Sequence, residues 1–250
     1  MNNRKVAAIV GTTVLALALT SCASERDDDG GTDNGADNGS DTGDAGGDAT
    51  GGDATGGDAA GAEPSDATFV FGAAGAPTVF DPFYASDGET FRVTRQLFEG
   101  LIELEEGGSE PVPGLAESWE SSEDGLTWTF QLREDVTFHD GTDFNAEAVC
   151  ANFDRWYDQN EVGQNSAVSY YWNTAFGGFA DGADDSLFES CEATEEYVAT
   201  VQVTRVTSTF PTVLTLSSFA ISSPTALEEY DANNVQAQGE GFVYPEYATE

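Results

Sequence analysis

Few residues in this 250-residue chain are suited to acid–base or nucleophilic chemistry. Its only histidine, His139, is followed directly by Asp140 in the stretch VTFHDGTDF, Val136–Phe144. An imidazole beside a carboxylate is half of a general-base site, because the carboxylate orients the ring and stabilises its charged form. The other half, a nucleophile on a strained turn, has no signature: no Gly-x-Ser-x-Gly occurs. No second histidine and no Cys-x-x-Cys accompanies His139, so zinc is not signalled. The only lysine is Lys5, and no Gly-rich phosphate loop ends in Lys-Ser/Thr. Paired carboxylates, the machinery of glycoside hydrolysis, occur at many spacings among 46 acidic residues and so discriminate nothing. We expect no catalytic residue, metal or cofactor.

The elements around His139 favour a turn. LTWTFQL, from Leu126, alternates strictly, with Leu126, Trp128, Phe130 and Leu132 on one face, which predicts a strand. VTFHDG is a second extended piece closed by Asp140–Gly141, where an imidazole more often bonds locally than catalyses. NAEAVCANFDRWYD then predicts a helix with Asn145 as N-cap and Ala146, Val149, Cys150, Phe153, Trp156 and Tyr157 on its apolar side. Upstream, Phe69–Ala73 is expected to be a strand. SDGETFRVTRQLFEG is expected to be a helix with a Ser86/Glu89 capping box and Gly100 as C-cap. Downstream, Val162–Asp185 is expected to be loop, LFESCEA and YVATVQVT a hairpin, and STFPTVLTLSSF a short helix with Pro211 in its first turn. FAISSPTALEEY is expected to be a strand leading into a helix near Pro224, and no element is expected in the last ten residues, GFVYPEYATE. Strands and helices mix without a βαβ rhythm, which predicts α+β.

The charge balance, 46 acidic against 8 basic residues, excludes a phosphate-backbone partner. Residues 67–250 carry 33 of the acids and 5 of the bases, so the imbalance belongs to the folded part too. The N-terminus reads as an export signal: Arg4 and Lys5, the apolar run Val6–Leu19, then LTSC ending at Cys22, which resembles a bacterial lipobox. Residues 1–22 are therefore expected to be a lipoprotein signal, with Cys22 diacylated. Residues 23–66 are mostly Gly, Asp, Ala, Thr and Asn with a recurring GGDA, expected to be a disordered acidic tether of about 35–40 Å r.m.s. span before charge repulsion extends it. Residues 67–250 are the expected folded region.

Val112–Arg155, VPGLAESWESSEDGLTWTFQLREDVTFHDGTDFNAEAVCANFDR, resembles the signature of family-five extracellular solute-binding proteins, the dipeptide, oligopeptide and nickel receptors of ABC importers. FDP at Phe80, LFEGL at Leu97 and FAISSPTALEEY extend the match. The resemblance implies the N-terminal lobe and β-rich subdomain of a two-lobed, periplasmic-binding-protein-like fold (type II, cluster C), with the second lobe absent. Residues 67–95 and 206–250 would belong to lobe I and 96–205 to the β-rich subdomain. It implies ligand-binding residues at Tyr84, Ser86, Asp87 and Gly88, whose backbone would pair with an extended ligand, and at the aromatic run Tyr170, Tyr171 and Trp172. It also places the group that pairs with a peptide's α-amino end, and the nickel-site histidine, in a second lobe after Glu250. Residues 1–250 would then be an N-terminal fragment. The implied function is a monomeric, lipid-anchored receptor on the outer face of the bacterial cytoplasmic membrane, passing a small solute, expected to be a peptide, to ABC permease subunits. Alternatives from other classes are a secreted hydrolase with paired carboxylates, which would show turnover, and an adhesion module, which would bind a macromolecule.

After lipidation of Cys22, the remaining cysteines are Cys150 and Cys191, in a chain exported to an oxidising compartment. A disulfide between them is expected, with two buried free thiols as the alternative.

Overall fold

The computed structural model describes residue 68 and residues 70–249. The export signal, Cys22 and the tether lie outside the described residues. Thirteen α-helices and β-strands are described. They run α1 (Gly88–Thr94), β1 (Ile102–Leu104), β2 (Pro111–Pro113), β3 (Ala116–Ser121), β4 (Thr127–Leu132), α2 (Ala146–Tyr157), α3 (Tyr170–Ala175), β5 (Phe188–Glu195), β6 (Val198–Val203), α4 (Phe210–Val213), α5 (Pro224–Glu229), β7 (Gln236–Gln238) and β8 (Gly241–Val243).

Four strands form the central antiparallel sheet in the order β3-β4-β6-β5. The alternation that marks β4 sets its register: Phe130 stands opposite Trp119 on one side and Ala199 on the other, and Trp128, Phe130 and Leu132 are buried. β6 alternates in the same way, burying Ala199, Val201 and Val203. Thr127, Thr129, Gln131, Thr200 and Gln202 take the other face, as a sheet solvated on one side requires.

α2 covers the apolar face. Asn145 accepts a hydrogen bond from the Ala148 N–H at 2.9 Å, and apolar residues at helical spacing point one way. Phe153 stacks on Phe188 of β5 with ring centroids 5.5 Å apart. Cys150 of α2 is joined to Cys191 of β5 by a disulfide, with Cα atoms 5.1 Å apart. Beyond α2 the core continues through aromatic rings. Trp156 and Phe176 both pack edge-on to Phe219, at 5.5 and 5.2 Å, and Trp128 meets Phe210 at 5.6 Å. Each fully buried ring removes about 150–250 Å² from water, on the order of 4–6 kcal/mol of transfer free energy before entropy is charged against it. One cluster of buried side chains includes Val79, Phe130, Phe176 and Phe219.

Several elements differ from the sequence expectation. Residues 70–73 form no strand: no described strand pairs with them, and Val70 and Phe71 are exposed. The cap of α1 is Asp87, not Ser86, and α1 stops at Thr94 with Arg95 as C-cap rather than running to Gly100. Gly100 serves close approach instead, since a Cβ there would sit 3.0 Å from the Ile102 carbonyl oxygen. Within the expected loop, Tyr170–Ala175 is helical because Trp172 and Phe176 need one buried face. The strand expected before α5 is reduced to a single bridge, Gly100 to Ala220. In the last ten residues, where no element was expected, β8 pairs back on β7 and a 3-10 turn forms at Glu246–Ala248.

Candidate ligand-binding site

One short extended segment, exposed at Ser86, is fixed at both ends. The N-terminal anchor starts at Asp81, which is fully buried. Its carboxylate accepts from the Phe83 N–H at 3.0 Å, capping the 3-10 turn Pro82–Tyr84, and pairs with the guanidinium of Arg155 from α2. Arg155 Nε donates to Asn233 Oδ1 at 2.9 Å, and its guanidinium lies within 5.5–5.8 Å of the ring centres of Phe83, Tyr84 and Tyr247. Burial by itself would lower the Arg155 pKa, but the Asp81 carboxylate beside it raises it, so the guanidinium stays charged. The Tyr84 hydroxyl lies 3.0 Å from both Gln159 Oε1 and the Ala232 carbonyl, and burial pushes its pKa well up.

The second anchor is Asp87. Its carboxylate accepts from the N–H groups of Glu89 and Thr90 at 3.0 and 2.9 Å, and from the hydroxyls of Thr90 and Thr78 at 2.7 and 2.9 Å. The Thr90 backbone bond, then the Thr90 and Thr78 hydroxyls, hold this carboxyl below its usual pKa.

Between the anchors the chain is extended, with φ −73°, ψ 139° at Ala85 and φ −124°, ψ 153° at Asp87. Ser86 is exposed. Among the described residues, nothing pairs with the N–H or C=O of Ser86 or with the N–H of Asp87. A Cβ at Gly88 would meet no atom within 4 Å, and its φ is ordinary, so neither space nor backbone conformation demands glycine. Beside this segment, Phe91 of α1 meets Tyr171 of α3 edge-on at 5.7 Å, and Tyr171 meets Tyr170 at 5.0 Å.

The structure therefore brings Ser86, Asp87 and Gly88 to one end of the helix whose Phe91 touches Tyr171, with Tyr170 half exposed beyond it. Two expected ligand residues sit elsewhere. Tyr84 is 3% exposed, with its hydroxyl committed to internal partners. Trp172 is fully buried, stacked on Phe176 at 4.1 Å, with Nε1 donating to the Gly178 carbonyl at 3.1 Å. A helix cannot present Tyr170, Tyr171 and Trp172 on one side, because successive residues are rotated by about 100°. Phe91 was not among the ligand residues expected from the sequence. Its signal was its position, one turn after the cap.

His139 is exposed on the turn closed by Gly141, whose φ is +83°. The Asp140 carboxylate is taken by the Ser223 hydroxyl, the Thr142 hydroxyl at 2.6 Å and the Thr142 N–H at 2.9 Å. Those bonds, Ser223 first, hold Asp140 below its usual pKa and leave no hydrogen bond to His139 among the described residues. Among the described residues, no three His, Cys, Asp or Glu side chains are grouped to hold a metal ion, and no helix is long and apolar enough to cross a membrane.

Residues 110–242 match the family described as bacterial extracellular solute-binding proteins, family 5 middle. Heme-binding protein A of Haemophilus influenzae is 38% identical over 114 residues, 43% of this chain and 21% of that protein. Di/tripeptide-binding protein 3 of Pseudomonas aeruginosa is 32% identical over 165 residues, 63% of this chain and 30% of that protein. Among solved structures, the ABC transporter-associated periplasmic binding protein DppA from Helicobacter pylori, in complex with the peptide STSA, superposes with a TM-score of 0.53 at 26% identity. That superposition covers 64% of this chain and 31% of the other. The chain thus spans less than a third of the length of each of these relatives.

Proposed function

The chain belongs to the family 5 bacterial extracellular solute-binding proteins and carries part of a type II periplasmic-binding-protein fold, and on that premise we propose that it is part of the solute-capturing receptor of an ABC importer, with an extended peptide as ligand. One observation carries the peptide reading. Ser86 is exposed, its N–H and C=O and the N–H of Asp87 have no partner among the described residues, and the extended backbone here is held by the Asp81–Arg155 and Asp87 anchors. A peptide laid alongside would exchange main-chain hydrogen bonds with Ser86, a strand addition that is indifferent to sequence. The open space at Gly88 admits the ligand backbone, and Phe91, Tyr171 and Tyr170 offer ring faces and edges to its side chains. Tyr84 and Trp172 support this surface from inside. The anchors are in place before the ligand arrives, so little ordering entropy is charged to binding.

In this reading the protein releases its ligand unchanged and hands it to permease subunits. Residues 1–250 are the N-terminal part of a longer two-lobed receptor, in keeping with the share of its relatives that the chain spans. It works as a monomer held to the outer face of the cytoplasmic membrane by lipid on Cys22. A lipid anchor with two acyl chains gives stable attachment, whereas a single chain is marginal.

The test of the ligand is mass spectrometry of small molecules that co-purify with the complete receptor, followed by calorimetry with the peptide identified. Recovery of a stoichiometric peptide, unaltered after incubation, supports the reading. Hydrolysis of that peptide, or a tight non-peptide ligand with no measurable peptide affinity, overturns it. For the anchor, Cys22→Ala should move the protein from the membrane fraction to the soluble extracytoplasmic fraction, and continued membrane retention would count against lipidation.

A further inference from the structure

At the far end of α1 from Asp87, a separate cavity of about 290 Å³ opens between the end of the helix and the Thr215–Ala220 segment. Its wall holds Thr94, Arg95, Phe98, Glu99, Glu103 and Ser217. Thr94 is 1% exposed, and its hydroxyl has no hydrogen-bond partner among the described residues. A buried hydroxyl left without a partner carries a desolvation cost that a ligand would remove. The opposite charges in the same wall do not satisfy one another. Arg95 makes no ion pair among the described residues, and its Nε–H donates to the Ser217 hydroxyl at 2.8 Å. That bond fixes the guanidinium plane and leaves its terminal N–H groups free of protein partners among the described residues. Glu103 Oε1 accepts from the Gly100 N–H at 2.9 Å, which orients the carboxylate and leaves its second oxygen without such a partner.

We propose that this cavity binds a free α-amino acid with a neutral apolar side chain, its carboxylate on Arg95 and the Thr94 hydroxyl and its ammonium between Glu99 and Glu103. The chemistry follows from the wall. A guanidinium presents parallel N–H donors that match a carboxylate, and Thr94 supplies a third donor. A primary ammonium brings three N–H donors to two carboxylates, which a quaternary ammonium cannot do. Phe98 gives the side chain an apolar surface, and the volume suits one residue rather than an extended peptide, whose two charged ends lie too far apart. The site is distinct from the backbone segment at Ser86 and does not depend on the ligand assigned there.

The experiment is calorimetric titration of the 250-residue chain with leucine, leucinamide and isocaproate. Leucine should bind saturably, while leucinamide, without a carboxylate, and isocaproate, without an ammonium, should bind at least about tenfold more weakly. Arg95→Gln should weaken leucine roughly tenfold to a hundredfold and leave the weak leucinamide signal unchanged. Glu103→Gln keeps an acceptor for Gly100 and should weaken leucine by a similar factor. Thr94→Val keeps the shape and should cost about five- to tenfold. Circular dichroism melting of each variant confirms folding before titration. The proposal is overturned by no saturable leucine binding up to about 10 mM, by leucinamide or isocaproate binding as tightly as leucine, or by Arg95→Gln and Glu103→Gln that fold normally and bind leucine unchanged.

Discussion

Replacing Arg155 with Met is the sharpest test of how the exposed segment is held. Asp81 is fully buried, and its carboxylate has two partners, the Phe83 N–H and the Arg155 guanidinium. The substitution leaves a buried anion with one neutral donor. Breaking a buried pair from one side typically costs about 3–5 kcal/mol, because the remaining charge keeps its desolvation penalty and loses the attraction that offset it. Against a total stability of about 5–15 kcal/mol this is a large fraction. For a folded unit of this size it should lower Tm by roughly 6–20 °C. Asp81→Asn should cost less, since Arg155 keeps the Asn233 and Ala232 oxygens at 2.9 and 3.2 Å and three aromatic rings. The double variant Asp81→Asn/Arg155→Met should be more stable than the sum of the single effects implies, by about 1 kcal/mol or more, since it strands no charge. Urea and thermal unfolding at neutral pH, followed by tryptophan fluorescence, supply all four corners of the cycle. A loss below about 1 kcal/mol for Arg155→Met, or single effects that add within about 0.5 kcal/mol, would show that the pair does not hold the segment.

Three further outcomes are expected. Reduction of Cys150–Cys191, whose positions lie 41 residues apart, should cost about 4 kcal/mol in a chain-entropy account, and alkylation of unfolded, non-reduced protein should label neither cysteine. Labelling of both would remove the bridge. Asp87→Ala should cost about 1 kcal/mol at neutral pH through loss of the α1 cap. Because the folded state holds the Asp87 carboxyl below its usual pKa, its contribution is complete above the ordinary aspartate range and fades as pH falls through the depressed value. The difference in Tm between wild type and Asp87→Ala should therefore shrink on acidification, and a gap that widens in acid would reverse the sign of this argument. With 33 acids against 5 bases in residues 67–250, and one exposed ion pair, Arg92–Glu89, among the described residues, salt should stabilise the fold. Raising ionic strength from about 0.01 M to 1 M shortens the Debye length from about 30 to 3 Å, so Tm should climb across that range, and a flat or falling Tm would place the charges too far apart to repel.

The parts of this protein legible in the sequence are those set over a few residues. Alternation at Leu126–Leu132 specifies β4 and its buried face, because side chains of a strand point alternately to its two sides. Asn145 and the spacing Val149, Phe153, Trp156 specify α2 and its start. The Asp140–Gly141 turn was equally local, and it is this turn that takes the Asp140 carboxylate. The ordered motifs from Val112 to Arg155 pointed to the family, since their order and spacing are sequence properties. Tertiary structure decided what depends on residues meeting across distance. Asp81 and Arg155 are 74 positions apart, and nothing local distinguishes that aspartate from the other acids or that arginine from its fellows. The expected ligand residues divided for the same reason. Ser86 projects outward because Tyr84 and Asp87 on either side are tied to Gln159, Thr78 and Thr90. Trp172 turns inward because Phe176, one helical turn on, and Phe219, from a distant segment, supply the rings it packs against. Periodicity fixes which residues share a side of an element. Only packing decides whether that side meets the core, another element or the solvent.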